Sequence, residues 1–96
     1  MFLHLGKNFV IPLKDVIAIV NAESSLKSKD TKTFLDIAEE EGFIYKIVDE
    51  NIKSYVITER VEKDKYTGDE IRTSIIYCSN ISSTTLNKRS GFIKNI

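Results

Sequence analysis

Few residues of this chain have the types and spacing that chemistry requires. The single histidine, His4, sits in the apolar opening Phe2–Leu5 and has no Cys or His at a ligand spacing, so it reads as a structural or exposed side chain. Cys78, the one cysteine, ends a hydrophobic run and behaves there as a small apolar residue. It cannot form an internal disulfide, and without a partner chain it cannot build a zinc site. Glu39, Glu40 and Glu41 are consecutive, which on a helix spreads them about 100° apart and prevents convergence as an acid–base pair. Gly6, Gly42, Gly68 and Gly91 are isolated, so neither a dinucleotide fingerprint nor a phosphate loop followed by Lys is present. The sequence predicts no enzyme and calls for no cofactor or metal.

What remains is basic. Lys7 and Lys14 bracket one apolar segment, Lys27 and Lys29 precede a helical pattern, Lys53 lies at a strand connection, and Lys88 and Arg89 close a final helix. These seven are the candidate contacts to nucleic-acid phosphates. Ser25, Ser28, Thr31, Thr84 and Thr85 stand beside them as possible hydrogen-bond donors. Lys plus Arg and Asp plus Glu both total 14, which excludes a strongly basic histone-like chain and an acidic tail. The balance hides an asymmetry: from Ile71 onward the charges are Arg72, Lys88, Arg89 and Lys94, whereas Asp36 and Glu39–Glu41 form an acidic cluster. A patch this sparse gains a strong field only if subunits repeat it around an assembly.

The elements that position these groups follow from pattern. Phe2–Leu5, residues 9–11 and Val16–Asn21 read as strands, with Pro12 marking a bend that holds Lys14 and Asp15. Phe9, Ile11 and Leu13 form one row, and Ile17 and Ile19 a second. Residues 24–30 read as a polar loop, followed by a helix from about Lys32 to Glu41 with Asp30 or Thr31 as its cap and Gly42 as its stop. Residues 43–48 and 54–59 are two strand-like runs joined by residues 49–53 in a hairpin or short connection. Residues 61–72 form an extended hairpin with its tip near Thr67 and Gly68, leading into a strand that ends at Cys78. Asn80, Ser82 or Ser83 caps a short last helix that Gly91 terminates, and Phe92, Ile93 and Ile96 follow as an apolar end that docks on this domain or on a neighbour's.

The result is one α+β domain over residues 1–96, with a small antiparallel or mixed sheet of about six strands, one main helix and a short C-terminal helix. A chain of 96 residues with 42% hydrophobic and 29% charged content supports one core. At this size the core is marginal alone, which predicts a homo-oligomer. The start is too short and too interrupted for a signal peptide, and no apolar run approaches a membrane span, so the expectation is a cytoplasmic protein without a membrane partner.

Several segments carry a resemblance. Phe2–Gly6, residues 10–19 (VIPLKDVIAI), Thr33–Leu35 running into Ala38–Gly42, Lys53–Thr58 and residues 81–89 (ISSTTLNKR) resemble, in order, the small bacterial RemA and RemB family of extracellular matrix regulatory proteins, with the closer likeness to its RemB branch. The resemblance implies a cytoplasmic, non-catalytic protein that switches on matrix or biofilm genes. Its RemA branch is similar to a ring-forming activator that wraps or bends double-stranded DNA across positive outer surfaces. In that branch the turn before the residue-54 strand supplies arginines to phosphate; here the turn reads Glu50-Asn51-Ile52-Lys53, and Asp15 stands where that branch is basic. Lys88-Arg89 does match, and also suits an interface with an acidic helix such as Glu39–Glu41. Two functions follow as expectations: a homo-oligomeric transcription regulator contacting DNA backbone, or an oligomeric scaffold that binds a related regulatory protein.

Overall fold

The computed structural model describes residues 1–91. The expectation for Phe92, Ile93 and Ile96 lies outside those residues. In chain order the elements are β1 (Phe2–Gly6), β2 (Phe9–Pro12), a 3-10 turn (Leu13–Asp15), β3 (Val16–Asn21), α1 (Ala22–Lys27), α2 (Lys29–Glu40), β4 (Ile44–Lys46), β5 (Ser54–Lys63), β6 (Glu70–Ser79) and α3 (Ser83–Ser90). The fold is α+β, with six strands in two sheets. β1 and β2 form an antiparallel ribbon, and the larger sheet runs β3-β5-β6-β4. Antiparallel pairing joins β3 to β5 and β5 to β6, whereas β4 lies parallel to β6.

The ribbon is closed by Lys7 and Asn8, both at positive φ (46° and 63°). A two-residue turn with both central residues left-handed matches the right-handed twist of the flanking strands. Gly6, at φ 114°, absorbs the register shift beside it. Its missing side chain also matters, because a Cβ there would stand 3.0 Å from the side-chain oxygen of Asn80. The ribbon therefore sits down on the β6–α3 connection as glycine alone permits.

Two apolar layers flank the main sheet. On one face Leu3, Leu5 and Ile11 of the ribbon meet Ile47, Val48, Val56 and Leu86, with Phe9, Leu13, Val16, Ile19, Tyr77 and Ile81 packed around them. On the other, Leu35 and Ala38 of α2 rest on Ile76, Ile44, Tyr55 and Ile57. The ribbon and α3 thus cover one side and α2 the other. Phe9, Tyr45 and Tyr77 close the first layer with ring centroids 5.1 to 5.8 Å apart.

Some sequence expectations are corrected. Residues 24–30 are not a loop: α1 occupies Ala22–Lys27, capped by Asn21, whose side chain accepts from the Ser24 amide at 2.8 Å. α1 buries only Ala22 and Ser25 and leaves Leu26 exposed, so it lacks the apolar stripe that reveals a helix. α2 starts at Lys29 with Ser28 as its cap, three residues earlier than expected, and the described helices number three. Residues 49–53 do not form a hairpin between neighbouring strands, because β6 lies between β4 and β5. Ile17 and Ile19 do not share a row. The register shift between Val16 and Ala18 inserts Ile17 as an extra residue, which turns it to the α2 side while Ile19 joins the ribbon side.

Residues 61–72 do form hairpin arms, with Lys63 opposite Glu70 and Arg60 opposite Thr73. At the tip the Asp64 carboxylate accepts from the amides of Tyr66 and Thr67 at 2.7 and 3.0 Å, which holds it below the usual carboxylate range. Gly91 ends α3 in the left-handed conformation, at φ 78°.

Candidate nucleic-acid interface

The end of the main sheet where β3 finishes is the junction on which most candidate side chains depend. There Asn21 pairs with Ser54, and Ser54 with Ser79. Ser54 and Ser79 are fully buried, and their hydroxyls donate outward from the sheet. Ser79 Oγ donates to the Leu5 carbonyl and Ser54 Oγ to the Ile81 carbonyl, both at 2.7 Å. The Ile81 amide returns a bond to Ser79 Oγ at 3.0 Å. Two small hydroxyls thereby fix the ribbon and the α3 entry to the same rung, and neither leaves an unsatisfied polar atom.

Lys53 is built into this junction through its backbone. Its amide donates to Ser79 at 2.8 Å, and its carbonyl accepts from Ala22, the first residue of α1, at 3.0 Å. Lys7 follows Gly6, whose backbone abuts Asn80. Lys7 and Lys53 therefore share one end of the fold, and both are exposed. α1 and α3 also start there. Lys27 lies at the end of α1 and Lys29 at the start of α2, while Lys88 and Arg89 lie in the last turn of α3, where positive charge complements the helix dipole. All four are exposed, and Lys27 makes a loose 3.6 Å pair with Glu23.

Lys14 is separate. It lies in the turn before β3, at the opposite end of that strand from Asn21 and Lys53. Its surroundings are of mixed sign: Lys14, Asp15, Glu59, Arg60 and Glu62 line one open recess. Within it Arg60 binds the Asp15 carboxylate through Nε and Nη2, both at 3.0 Å, with the Asp15 side chain 11% exposed and that of Arg60 50% exposed. Sequence reasoning missed this pair, since 45 residues separate its members. The available signal was Asp15 itself, the one acid in a mostly apolar stretch whose other charge is Lys14.

The hydroxyls near the basic groups serve the chain first. Ser28 Oγ accepts from the Thr31 amide, Thr85 Oγ1 accepts from Ser82 Oγ at 2.9 Å, and Ser25 is buried. Thr84 is exposed. Glu39 pairs with Lys46 at 3.7 Å across half-exposed side chains, while Glu40 and Glu41 point to solvent. His4 is exposed on β1. Cys78 is 2% exposed, and burial pushes its thiol up, with Lys46 pulling it down and Glu39 reinforcing the rise. A thiol in that state is a poor nucleophile. Among the described residues no three His, Cys, Asp or Glu side chains gather to hold a metal ion, and no helix is long and apolar enough to cross a membrane.

Comparison with known families adds the deciding observation. The model of the RemA-like family, described as extracellular matrix regulatory protein A-like, matches residues 2–89. The chain belongs to the RemA-like family. The match spans the ribbon, the main sheet and nearly all of α3, so the RemA-like assignment rests on the whole described fold and not on one motif. The RemA-like family is a regulatory one and is not known as a family of enzymes. A comparison with curated proteins found no match.

Proposed function

We propose that this RemA-like protein is a homo-oligomeric cytoplasmic regulator of extracellular-matrix and biofilm genes that contacts the phosphates of double-stranded DNA. Within the family we place it nearer the RemB branch, on Asp15 and on the turn Glu50–Lys53, where a single Lys replaces the arginines of the RemA branch. The observation that carries the reading is the shared junction: Lys7 and Lys53 stand at one end of the fold, and the two helices bearing Lys27, Lys88 and Arg89 start from it. Lys29, which opens α2, belongs to the same set, and Lys14 contributes least because two carboxylates line its recess with it besides the Asp15–Arg60 pair. With no long basic recognition helix, the mechanism is architectural: many weak backbone contacts, with sequence preference arising from DNA bendability.

Mobility-shift titration of the full chain on duplex DNA at low and physiological salt tests the reading. Binding is expected to weaken with salt, and each phosphate contact removed by Lys7→Ala or Lys53→Ala lowers the slope of log K against log salt by about 0.9. Absence of binding at both salt levels refutes direct DNA contact. A second reading, an oligomeric scaffold that binds a related regulatory protein, is favoured by the hairpin arm, where Tyr66 at the tip is 97% exposed and Val61 and Ile71 are about half exposed. Retention of matrix-gene control after neutralising all seven candidate basic residues would select it.

A further inference from the structure

β3 is one edge of the main sheet, and it lacks the devices that keep an edge from pairing. Its sequence, Val16–Asn21 (VIAIVN), holds no charge and no proline, and none of its residues is buried. The opposite edge, β4, is only three residues long and ends in Lys46. Among the described residues the backbone of Ile17–Val20 makes no hydrogen bond outside the β3–β5 ladder. An antiparallel strand turns alternate amides and carbonyls away from its neighbour, so this edge offers main-chain bonds that are still to be made.

Two recesses lie beside that edge on the α2 face of the sheet. The first, of about 240 Å³, has Ile17, Phe34, Ile37 and Phe43 around Ile57 and Ile76. The second, of about 310 Å³, is lined by Val20, Phe34, Leu35 and Ile57 together with Asp30 and Thr31. Phe34 and Ile57 belong to both, so the two adjoin. Along the sheet Ile17 falls between the levels of Thr58 and Ile57, while Val20 stands opposite Tyr55. The recesses are therefore about two strand residues apart, roughly 7 Å, which is the interval at which an extended chain returns side chains to one face. The bulge at Ile17 aims that side chain into the first recess and restricts pairing to a short run.

Charge narrows the choice of occupant. Asp30 is the one charged side chain lining either recess, it is exposed, and among the described residues it is in no ion pair. A carboxylate beside apolar walls fits a lysine or arginine, whose methylenes lie along the walls while its head meets the acid. The first recess carries no charge and fits a branched apolar side chain. The free edge calls for an extended main chain, and the two recesses call for an apolar and a basic residue two positions apart on it. The β3 of a second copy would answer the edge but holds no basic residue for Asp30.

We infer that β3 receives an extended segment of a partner protein by strand addition, with a branched apolar side chain of that segment in the Ile17 recess and a lysine or arginine in the Val20 recess against Asp30. Main-chain bonds to the edge supply affinity, and the paired recesses supply selectivity. This surface is separate from the basic groups and from the hairpin arm, so it goes beyond the function proposed above and stands without it.

Fluorescence anisotropy of a labelled peptide, Thr-Ile-Thr-Lys-Thr-Ile-Thr, titrated with the full chain tests it. The peptide reads the same in both directions, so either orientation of addition presents the same pair of side chains. Saturable binding is expected, with slower amide exchange in Ile17–Val20. Asp30→Asn, or Glu in place of the peptide's Lys, should weaken it about two- to fivefold, the worth of an exposed ion pair. Ile17→Lys should weaken it at least tenfold, with circular dichroism as the folding control. Of two peptides N-methylated on alternate amides, the one whose methyl groups face β3 should lose binding and the other keep it. A folded parent that ignores the peptide at millimolar concentration overturns the proposal. Binding indifferent to Asp30→Asn and to the Lys-to-Glu exchange overturns the choice of occupant, and binding indifferent to both N-methylated forms overturns strand addition. If sedimentation velocity shows that Ile17→Lys dissolves a self-association of a parent that does not bind the peptide, the edge belongs to a second copy and the proposal fails.

Discussion

Removing Arg60 should destabilise the fold more than removing Asp15, even though the two share one ion pair. The pair is lopsided: the Asp15 side chain is 11% exposed and that of Arg60 50%. Arg60→Ala leaves a carboxylate nearly out of water with neither of its two guanidinium bonds at 3.0 Å. Complete burial of both partners would put that loss at about 3–5 kcal/mol. Because Arg60 is half solvated, the lower end applies, about 2–3 kcal/mol. Asp15→Ala instead frees a guanidinium that rehydrates where it stands, so the cost falls to about 1 kcal/mol, the worth of an ordinary hydrogen bond. The difference corresponds to roughly 4–16 °C in Tm for a domain of this size. Urea unfolding of both single variants and the double variant, at one fixed protein concentration, yields the two costs and their coupling. Equal losses for the single variants, or a coupling below about 0.5 kcal/mol, would refute the argument from unequal burial.

Other expectations follow from burial and hydrogen bonding. Leu86 is fully buried between α3 and the ribbon face, so Leu86→Ala should cost about 3 kcal/mol in the same urea assay and release α3 first, seen as faster amide exchange in residues 83–90. Cys78 should react with a thiol reagent at neutral pH only on the timescale of unfolding, since burial both hides the sulfur and raises its pKa; rapid stoichiometric labelling of folded protein contradicts this. The Asp64 carboxyl is held below its ordinary value of 3.8 by amides that bond its charged form. Its ordering of the hairpin tip is therefore complete above that value and fades as pH falls through the lower, folded value. The Tyr66 and Thr67 amide signals in an NMR titration should shift together below about pH 4, and Asp64→Asn should abolish that step.

Local chemistry was legible and long-range pairing was not. The hairpin tip at Thr67 and Gly68, the caps at Ser82 and Gly91 and the stop at Gly42 each depend on residues within a few positions of one another, and each stands where the pattern places it. α1 escaped notice because it buries Ala22 and Ser25, two small residues that leave no hydrophobic period. Ile17 was assigned to the wrong row because one inserted residue reverses the parity of a strand. Of the two readings of residues 49–53 the short connection stands, and the pairing of β4 with β6 is not legible because β6 starts more than twenty residues after β4 and no turn signal announces it. The same limit applies to the candidate interface. Lys7 and Lys53 were named from their type, yet their common placement depends on Gly6 meeting Asn80 and on Lys53 bonding Ser79, contacts between distant parts of the chain.

The Ser54–Ser79 rung gives this last point a wider meaning. Neutral, enclosed hydroxyls lock the ribbon and the α3 entry to the sheet, so no lysine or arginine at that end is required to hold the scaffold in shape. Electric charge and architecture are thereby decoupled, and the surface can be rewritten from basic to neutral or acidic without unfolding what lies beneath it. Such an arrangement lets one framework vary its surface charge through substitutions alone.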